Sequence, residues 1–355
     1  RRSAFSPAAA EAAGKGTVIT TSRGERLDLR DPRVILTFPS MGDLSCEAVA
    51  AVFRGSGVRA EALPPAEEED LRLGLSRSNG KECLPLALTA GSLLRRVAAG
   101  RKDGEVLVFF MPRSAGPCRL GQYNVFLRGL VAKEELPDVA VLSLTDEDSF
   151  AGLGPDFRKR SWKALVAADL MDEVRSAILG LAVDPEAGTA TFEAAWAGIP
   201  SALEREDDRG LEEALRASAE RLRSVPLREP LEGAKVVALV GEIFVRRDRL
   251  PKRDLVPRLA RRGFVARTTP LTEFLWYCDW LLRHGLDEKP VTAAGRIGLA
   301  VRGFWQRGFE RKVRRILARS GLCRTGGPEI DEVMEAGGAF VSEHLEGEAV
   351  ITVGS

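Results

Sequence analysis

Residues Glu105–Phe126 read EVLVFFMPRSAGPCRLGQYNVF. The opening part is an unbroken apolar run of strand length, and a strand without polar alternation is one covered on both faces, as in a parallel sheet. It empties into a Pro/Gly turn and then into Cys118, flanked by Arg119. A buried strand needs no thiol at its exit, so the turn asks for a chemical reason.

Outward from this stretch the same rhythm repeats. Arg33–Phe38 (RVILTF) reads as a strand, PSMGDLS as a turn and Cys46–Phe53 as a helix; Val58–Leu63 is a second strand. After GKECLP, Thr89–Ala98 reads as the helix leading into the strand Val106–Met111. Gln122–Val131 is then helix, Val139–Leu144 strand and Ser161–Leu181 a long amphipathic helix. Strands alternating with helices imply crossover units and a parallel sheet. Residues 184–230 are rich in Ala, Glu, Arg and Leu and read as a helical linker or cap. A second α/β unit follows: strand Lys235–Val240, loop GEIFVRRD, helix Leu255–Arg262, strand Val265–Thr268, helix Pro270–His284, basic helix Arg302–Arg319 and a closing strand Ala349–Val353. The expected fold class is α/β, with two Rossmann-like parallel-sheet domains joined by a helical segment. The divisions are 1–30 as a flexible arm, 31–183 as a cysteine-bearing α/β domain, 184–230 as the linker and 231–355 as the second α/β domain. The chain opens on Arg and closes on GEAVITVGS, a strand-like run, so it reads as a piece of a longer protein.

A length of 355 residues exceeds what one hydrophobic core usually serves, and 45% hydrophobic content suffices for two. No run of eighteen apolar residues suggests a membrane span and the start has no apolar signal core, so the expected location is the cytoplasm. With 52 basic and 51 acidic residues the net charge is +1, which gives no overall pull toward nucleic acid or anionic lipid. The basic helix, with Phe304, Trp305 and Phe309 between its arginines, reads as a solvated face or a docking surface for an acidic partner.

Ligands of parallel sheets sit beyond the carboxyl ends of the strands, where turns supply the reactive groups. Cys46, Cys83 and Cys118 each lie in or beside such a Gly/Pro turn of the first unit. Three thiolates converging there would make a soft site suited to an iron–sulfur cluster or zinc. Their wide spacing is no local CxxC signature, and free cysteine is also a common core residue, so the residues alone leave ligand and buried thiol both open. Cys278 in FLWYCDW and Cys323 in GLCRTGG read as inert or peripheral. Arg119 can hold an anionic group through its planar fork, while Gln122 and Tyr123 can hydrogen-bond beside the thiol. Glu242 and Arg246, after the first strand of the second unit, can offer a carboxylate and a guanidinium to a cleft or form an internal ion pair. No GxxxxGK[ST] loop, strand-linked GxGxxG, HExxH or GxSxG elbow is present, so neither ATP nor nicotinamide chemistry is written here.

The order FPSMGDLSC, GKECLPLALTAG, MPRSAGPCRLGQYNVF and GEIFVRRD resembles the dehydratase-like portion of the CoA-substrate-specific enzyme activase family, which belongs with the 2-hydroxyacyl-CoA dehydratase and benzoyl-CoA reductase components. The resemblance runs from about Arg33 to the end, and GPCRLGQY and GEIFVR are its most specific elements. It implies Rossmann-like domains, a cysteine-ligated [4Fe-4S] cluster and a partner: an ATP-hydrolysing activase, separate or fused, that delivers low-potential electrons for reduction of a CoA thioester. It makes Cys83 and Cys118 the leading ligands and Cys46 the third. Some relatives carry a double-cubane [8Fe-9S] cluster and reduce small molecules, which would draw in Cys323 or a cysteine beyond the C-terminus. The alternative from a different class is a non-catalytic cluster-carrying subunit that only relays electrons. The resemblance also implies a homodimer; the charge of the basic helix Arg302–Arg319, and not the resemblance, makes it the candidate docking face for the activase.

Overall fold

The computed structural model describes residues 5–13, 16–113, 118–144, 153–286, 291–345 and 347–355. The sequence-predicted turn before Cys118 falls in part on 114–117, outside the described residues. The chain is mixed α/β and groups into two compact units, Arg1–Ser161 with Asp248–Leu250, and Trp162–Arg247 with Pro251–Ser355. The division at 161/162 lies inside a helix and does not coincide with the change of composition near residue 184.

The first unit begins with β1 (Ala9–Ala13), β2 (Gly16–Thr20) and β3 (Arg26–Asp28), an antiparallel meander. This corrects the expectation of a loose arm over residues 1–30. Ala10, Ile19 and Leu27 are buried, and Ser22 and Asp138 exchange two hydrogen bonds of 2.9 Å, backbone N–H to side-chain oxygen in each direction.

The four-stranded parallel sheet comes next. It contains β4 (Val34–Phe38), β5 (Ala60–Ala62), β6 (Val106–Phe110) and β7 (Val139–Leu142), in the order β5-β4-β6-β7. Leu36 pairs with Ala60 on one side and with Val108 on the other. Every residue of β4 and β7 is buried, as their unalternating sequences require of strands covered on both faces. The helices between are α1 (Asp43–Gly55), α2 (Glu68–Leu75), α3 (Leu84–Ala98) and, after a short 3-10 turn Arg119–Gln122, α4 (Tyr123–Lys133). Chain direction across the sheet reverses between β4 and β6, so the turns after Phe38 and Phe110 flank the switch point where parallel sheets place ligands. Beneath that edge Phe38, Phe53, Phe110 and Phe157 form an aromatic cluster, with ring centroids 4.6–6.1 Å apart.

Glycines set the position of α3. A Cβ on Gly91 would stand 1.7 Å from Asp70 O, and one on Gly74 would stand 1.8 Å from Ala87 O, so α2 and α3 cross backbone against backbone. Arg95 closes the crossing on the fully buried Asp70 at 2.8 Å, and Asp70 also accepts from Glu67 N–H at 2.7 Å in a capping box.

The second unit contains α6 (Pro185–Trp196), α7 (Gly198–Glu204) and α8 (Asp208–Arg223), which follow the long helix α5 (Gly154–Leu181). Then come β8 (Lys235–Leu239), α9 (Ile243–Arg247), α10 (Arg249–Lys252), α11 (Leu255–Ala260), β9 (Phe264–Thr268), α12 (Leu271–His284), α13 (Ala293–Leu317), α14 (Ile330–Gly338) and α15 (Ala349–Gly354). β8 and β9 form a two-stranded parallel sheet. The closing segment, expected as a strand, is the helix α15. Tertiary packing overrides its β-branched sequence: Val350 and Ile351 are buried, and a Cβ on Gly337 or Gly354 would meet the facing backbone of Val350 or Val333 at 2.2 and 1.9 Å. Among the described residues no helix is long and apolar enough to cross a membrane.

Gly91→Ala is expected to destabilise the protein by about 3 kcal/mol, at the upper end of overpacking costs, because backbone rather than a flexible side chain blocks the new methyl. Guanidinium unfolding compared with the wild type measures it, and an unchanged midpoint would contradict the crossing.

Candidate functional site

Crossover helices run back against their strands, so α1, α3 and α4 all begin at the carboxyl edge of the four-stranded sheet. Cys46 lies in the first turns of α1, Cys83 is the residue before α3, and Cys118 precedes the 3-10 turn that leads into α4. The fold thus brings three cysteines from distant parts of the sequence to one edge.

Side-chain geometry then separates them. Cys83 is half-buried, and its Sγ lies 2.6 Å from the Tyr123 hydroxyl in a shared hydrogen bond. Arg119 Nη1 donates to Lys81 O at 2.8 Å. The segments GKECLP and GPCRLGQY, the two with the sharpest sequence signature, therefore abut through two independent contacts. Cys118 is exposed, and among the described residues its sulfur accepts a long bond from Leu120 N–H at 3.5 Å and no other. Cys46 is buried and bound within its own turn, with the thiol donating to Pro39 O and accepting from Met41 N–H, each at 3.2 Å. That turn ends on Gly42 at φ 97, a conformation a side chain rarely adopts. Among the described residues, no three of His, Cys, Asp and Glu lie close enough together to hold one metal ion.

Tyr123 is buried with its hydroxyl on Cys83, whereas Gln122 is exposed. Arg119 is exposed too and anchored by one arm. The Lys81 carbonyl was not legible in advance: a backbone acceptor has no sequence signature beyond the glycine before it.

Glu242 and Arg246 take structural positions within the second unit. Glu242 accepts from Val245 N–H at 2.8 Å and so caps α9, and Gly241 takes φ 117 to make the turn. Arg246 is 3% exposed; it donates to Gly241 O at 2.5 Å and lies 3.6 Å from Glu348 and 4.0 Å from Glu273. Burial lowers its pKa, partly offset by those carboxylates. The neighbouring Arg247 pairs with Asp169 at 2.8 Å, both side chains buried, an interaction that no sequence motif announced. On the basic helix one arginine departs from the expected solvated face. Arg314 is not on an exposed face but is 8% exposed and paired with Glu173 at 3.0 Å, and Arg311 is held by Glu329 at 3.0 Å.

Comparison with family models, with curated proteins and with solved structures returns no match to this chain.

Burial pushes the Glu348 carboxyl up to about 7, against the opposing pull of Arg246 and the hydrogen bond from Ile243 N–H. A carboxyl raised in the folded state binds its proton more tightly there than when unfolded. It therefore contributes stability in full below the ordinary glutamate range, and that stability is lost as pH rises through about 7. Glu348→Gln, which stays neutral at every pH, is expected to flatten the stability profile between about pH 4 and pH 7. Melting temperatures across that range read the slope, and an identical slope in both proteins would contradict the assignment.

Proposed function

We propose that this chain is the iron–sulfur component of an ATP-activated two-component system of the 2-hydroxyacyl-CoA dehydratase and acyl-CoA reductase kind. It would accept low-potential electrons from an ATP-hydrolysing activase and reduce a CoA thioester. The reading carries with it two Rossmann-like sheets, of which β8 and β9 would belong to the second. The observation that supports it most is the contact between GKECLP and GPCRLGQY at the carboxyl edge of the four-stranded sheet, made by Cys83 with Tyr123 and by Arg119 with Lys81 O.

The donors present fit such a cluster in part. Cys83 and Cys118 would hold it from abutting segments. Cys46, at the same edge, would have to exchange its bonds to Pro39 O and Met41 N–H for a ligand bond. When bound, the cluster supplies one-electron chemistry at low potential. The chain's own residues do the rest. The Tyr123 hydroxyl fixes the Cys83 sulfur and can donate to it once that sulfur is a thiolate, which favours the more electron-rich state. Arg119, with one arm on Lys81 O, keeps donors at the exposed surface for an anionic group of the substrate. The Phe38, Phe53 and Phe110 rings below the edge keep water from that side.

Protein purified without oxygen is expected to hold about four iron and four acid-labile sulfide per chain, or about eight of each for a double cubane. Both should be lost in Cys83→Ser and in Cys118→Ser while the far-ultraviolet circular dichroism is kept. Wild-type protein that stays free of iron after anaerobic reconstitution, or variants that retain the full complement, would remove the reading.

A further inference from the structure

Helix α13 is held to the second unit by its later turns. Its buried residues begin at Gly303 and include Val313, Ile316 and Leu317, whereas none of residues 293–302 is buried. That first part, AAGRIGLAVR, is nonetheless mostly apolar, and its two glycines and β-branched residues make it a poor helix former. Helices in proteins owe most of their stability to the packing of an apolar face, so this segment presents a face that gains from being covered.

The bare face is a single stripe. Ile297, Val301, Phe304 and Gly308 recur at spacings of four and three residues, which places them on one side of the helix over about 17 Å. Phe304 is 82% exposed, Ile297 68% and Val301 65%. Single exposed apolar residues are ordinary, but three large ones in register on one helix make a patch.

The charge around the stripe has one sign. Arg315 continues the same side of the helix, Arg296 and Arg307 border it, and Arg319 follows one turn beyond. Among the described residues none of these four arginines pairs with a carboxylate. Glu310, the only carboxylate of α13, is turned inward to Trp276 Nε1–H at 3.2 Å and to Arg314 at 3.8 Å. Such a surface is complementary to an apolar stripe with acidic rims.

Other occupants match it less well. A second copy of the same face would bring arginines and no carboxylate to meet them. A bilayer of anionic lipid would also meet Glu329 and Glu212, which stand at the basic end on Arg311 and Lys312. A partner helix can set its carboxylates opposite the free arginines alone, which a uniformly anionic surface cannot.

We propose that the Ile297, Val301 and Phe304 stripe of α13 is a docking surface for an acidic amphipathic helix of another protein. The apolar face of that helix covers the stripe, and its rim carboxylates pair with Arg296, Arg307 and Arg315. The surface belongs to the second unit alone and does not depend on the iron–sulfur reading.

The probe is a synthetic helix of about eighteen residues, with leucines along one face and glutamates on both rims, labelled with fluorescein and titrated at low ionic strength. Anisotropy is expected to show saturable binding in the micromolar range, absent for a peptide of the same composition in scrambled order. Phe304→Glu, and separately Arg296→Gln combined with Arg315→Gln, are each expected to weaken binding tenfold or more, and added salt to weaken it by screening the rim. All three positions are exposed, so the variants should keep the circular dichroism and melting temperature of the wild type. Hydrogen exchange reads the same event in the backbone: the amides of 293–304 should exchange more slowly with the peptide bound. Flotation with vesicles of phosphatidylcholine and phosphatidylglycerol that is lost in Phe304→Glu would assign the stripe to lipid. A monomer–dimer equilibrium lost in the same variant would assign it to a second copy. Either result without peptide binding overturns the proposal, as does absence of saturable peptide binding or unchanged affinity in the folded variants.

Discussion

Enclosure of β4 is the constraint from which the first unit follows. All five residues from Val34 to Phe38 are buried, and parallel strands pair with both edges. Only side chains without unmet polar groups can fill such a strand, and its one hydroxyl, on Thr37, donates to Val108 O at 3.4 Å. Parallel neighbours on both sides require crossover connections, and these put the starts of α1, α3 and α4 at one edge of the sheet. The packing of these five buried side chains thereby decides which distant turns meet. The backbone crossing at Gly74 and Gly91 then fixes where α3 begins, and with it Cys83.

The second unit is organised by buried charge. Arg246 and Arg247, adjacent on α9, pair with different carboxylates. The first goes to Glu273 and Glu348, and the second to Asp169 on α5. Desolvating such ions costs several kcal/mol each, so apolar replacements of equal volume would hold the unit at least as firmly. What the ions add is direction. Arg246 ties the turn at Gly241 to the segment before α15, and Arg247 ties α9 to the helix that also caps α12 through Thr272. Removing one partner would leave a charge buried without compensation, which makes the arrangement intolerant of single changes.

The strands of the first unit were legible because VILTF, VLVFF and VAVL are continuous apolar runs that cannot sit in a half-exposed sheet. The meander was not, because AAEAA carries little β propensity and becomes a strand only by pairing with GTVIT. The last helix was misread for the converse reason: AVITV prefers a strand, and two glycines opposite it permit a close helical contact instead. Of the site, the edge that gathers Cys46, Cys83 and Cys118 could be read from alternating elements alone. The partners of each thiol could not, since Pro39 O, Met41 N–H and Lys81 O are backbone groups placed by turns. Charge pairs such as Arg247 with Asp169 were equally silent, because they span helices far apart in sequence.

The same geometry ranks the thiols as ligands. A sulfur that donates to a carbonyl and accepts an N–H is already satisfied, and recruiting Cys46 would leave Pro39 O and Met41 N–H to find other partners, at a cost comparable to lost hydrogen bonds. Cys118 has no such debt among the described residues: it is exposed and carries one long contact. Cys83 lies between the two, bonded to a side chain rather than to backbone, so the Tyr123 hydroxyl can donate to the sulfur as it gains charge. A ligand set that starts from Cys118 and Cys83 therefore asks for little rearrangement of the protein. One that includes Cys46 asks the Pro39–Gly42 turn to open, which makes that turn the place where cluster binding and local structure would be coupled.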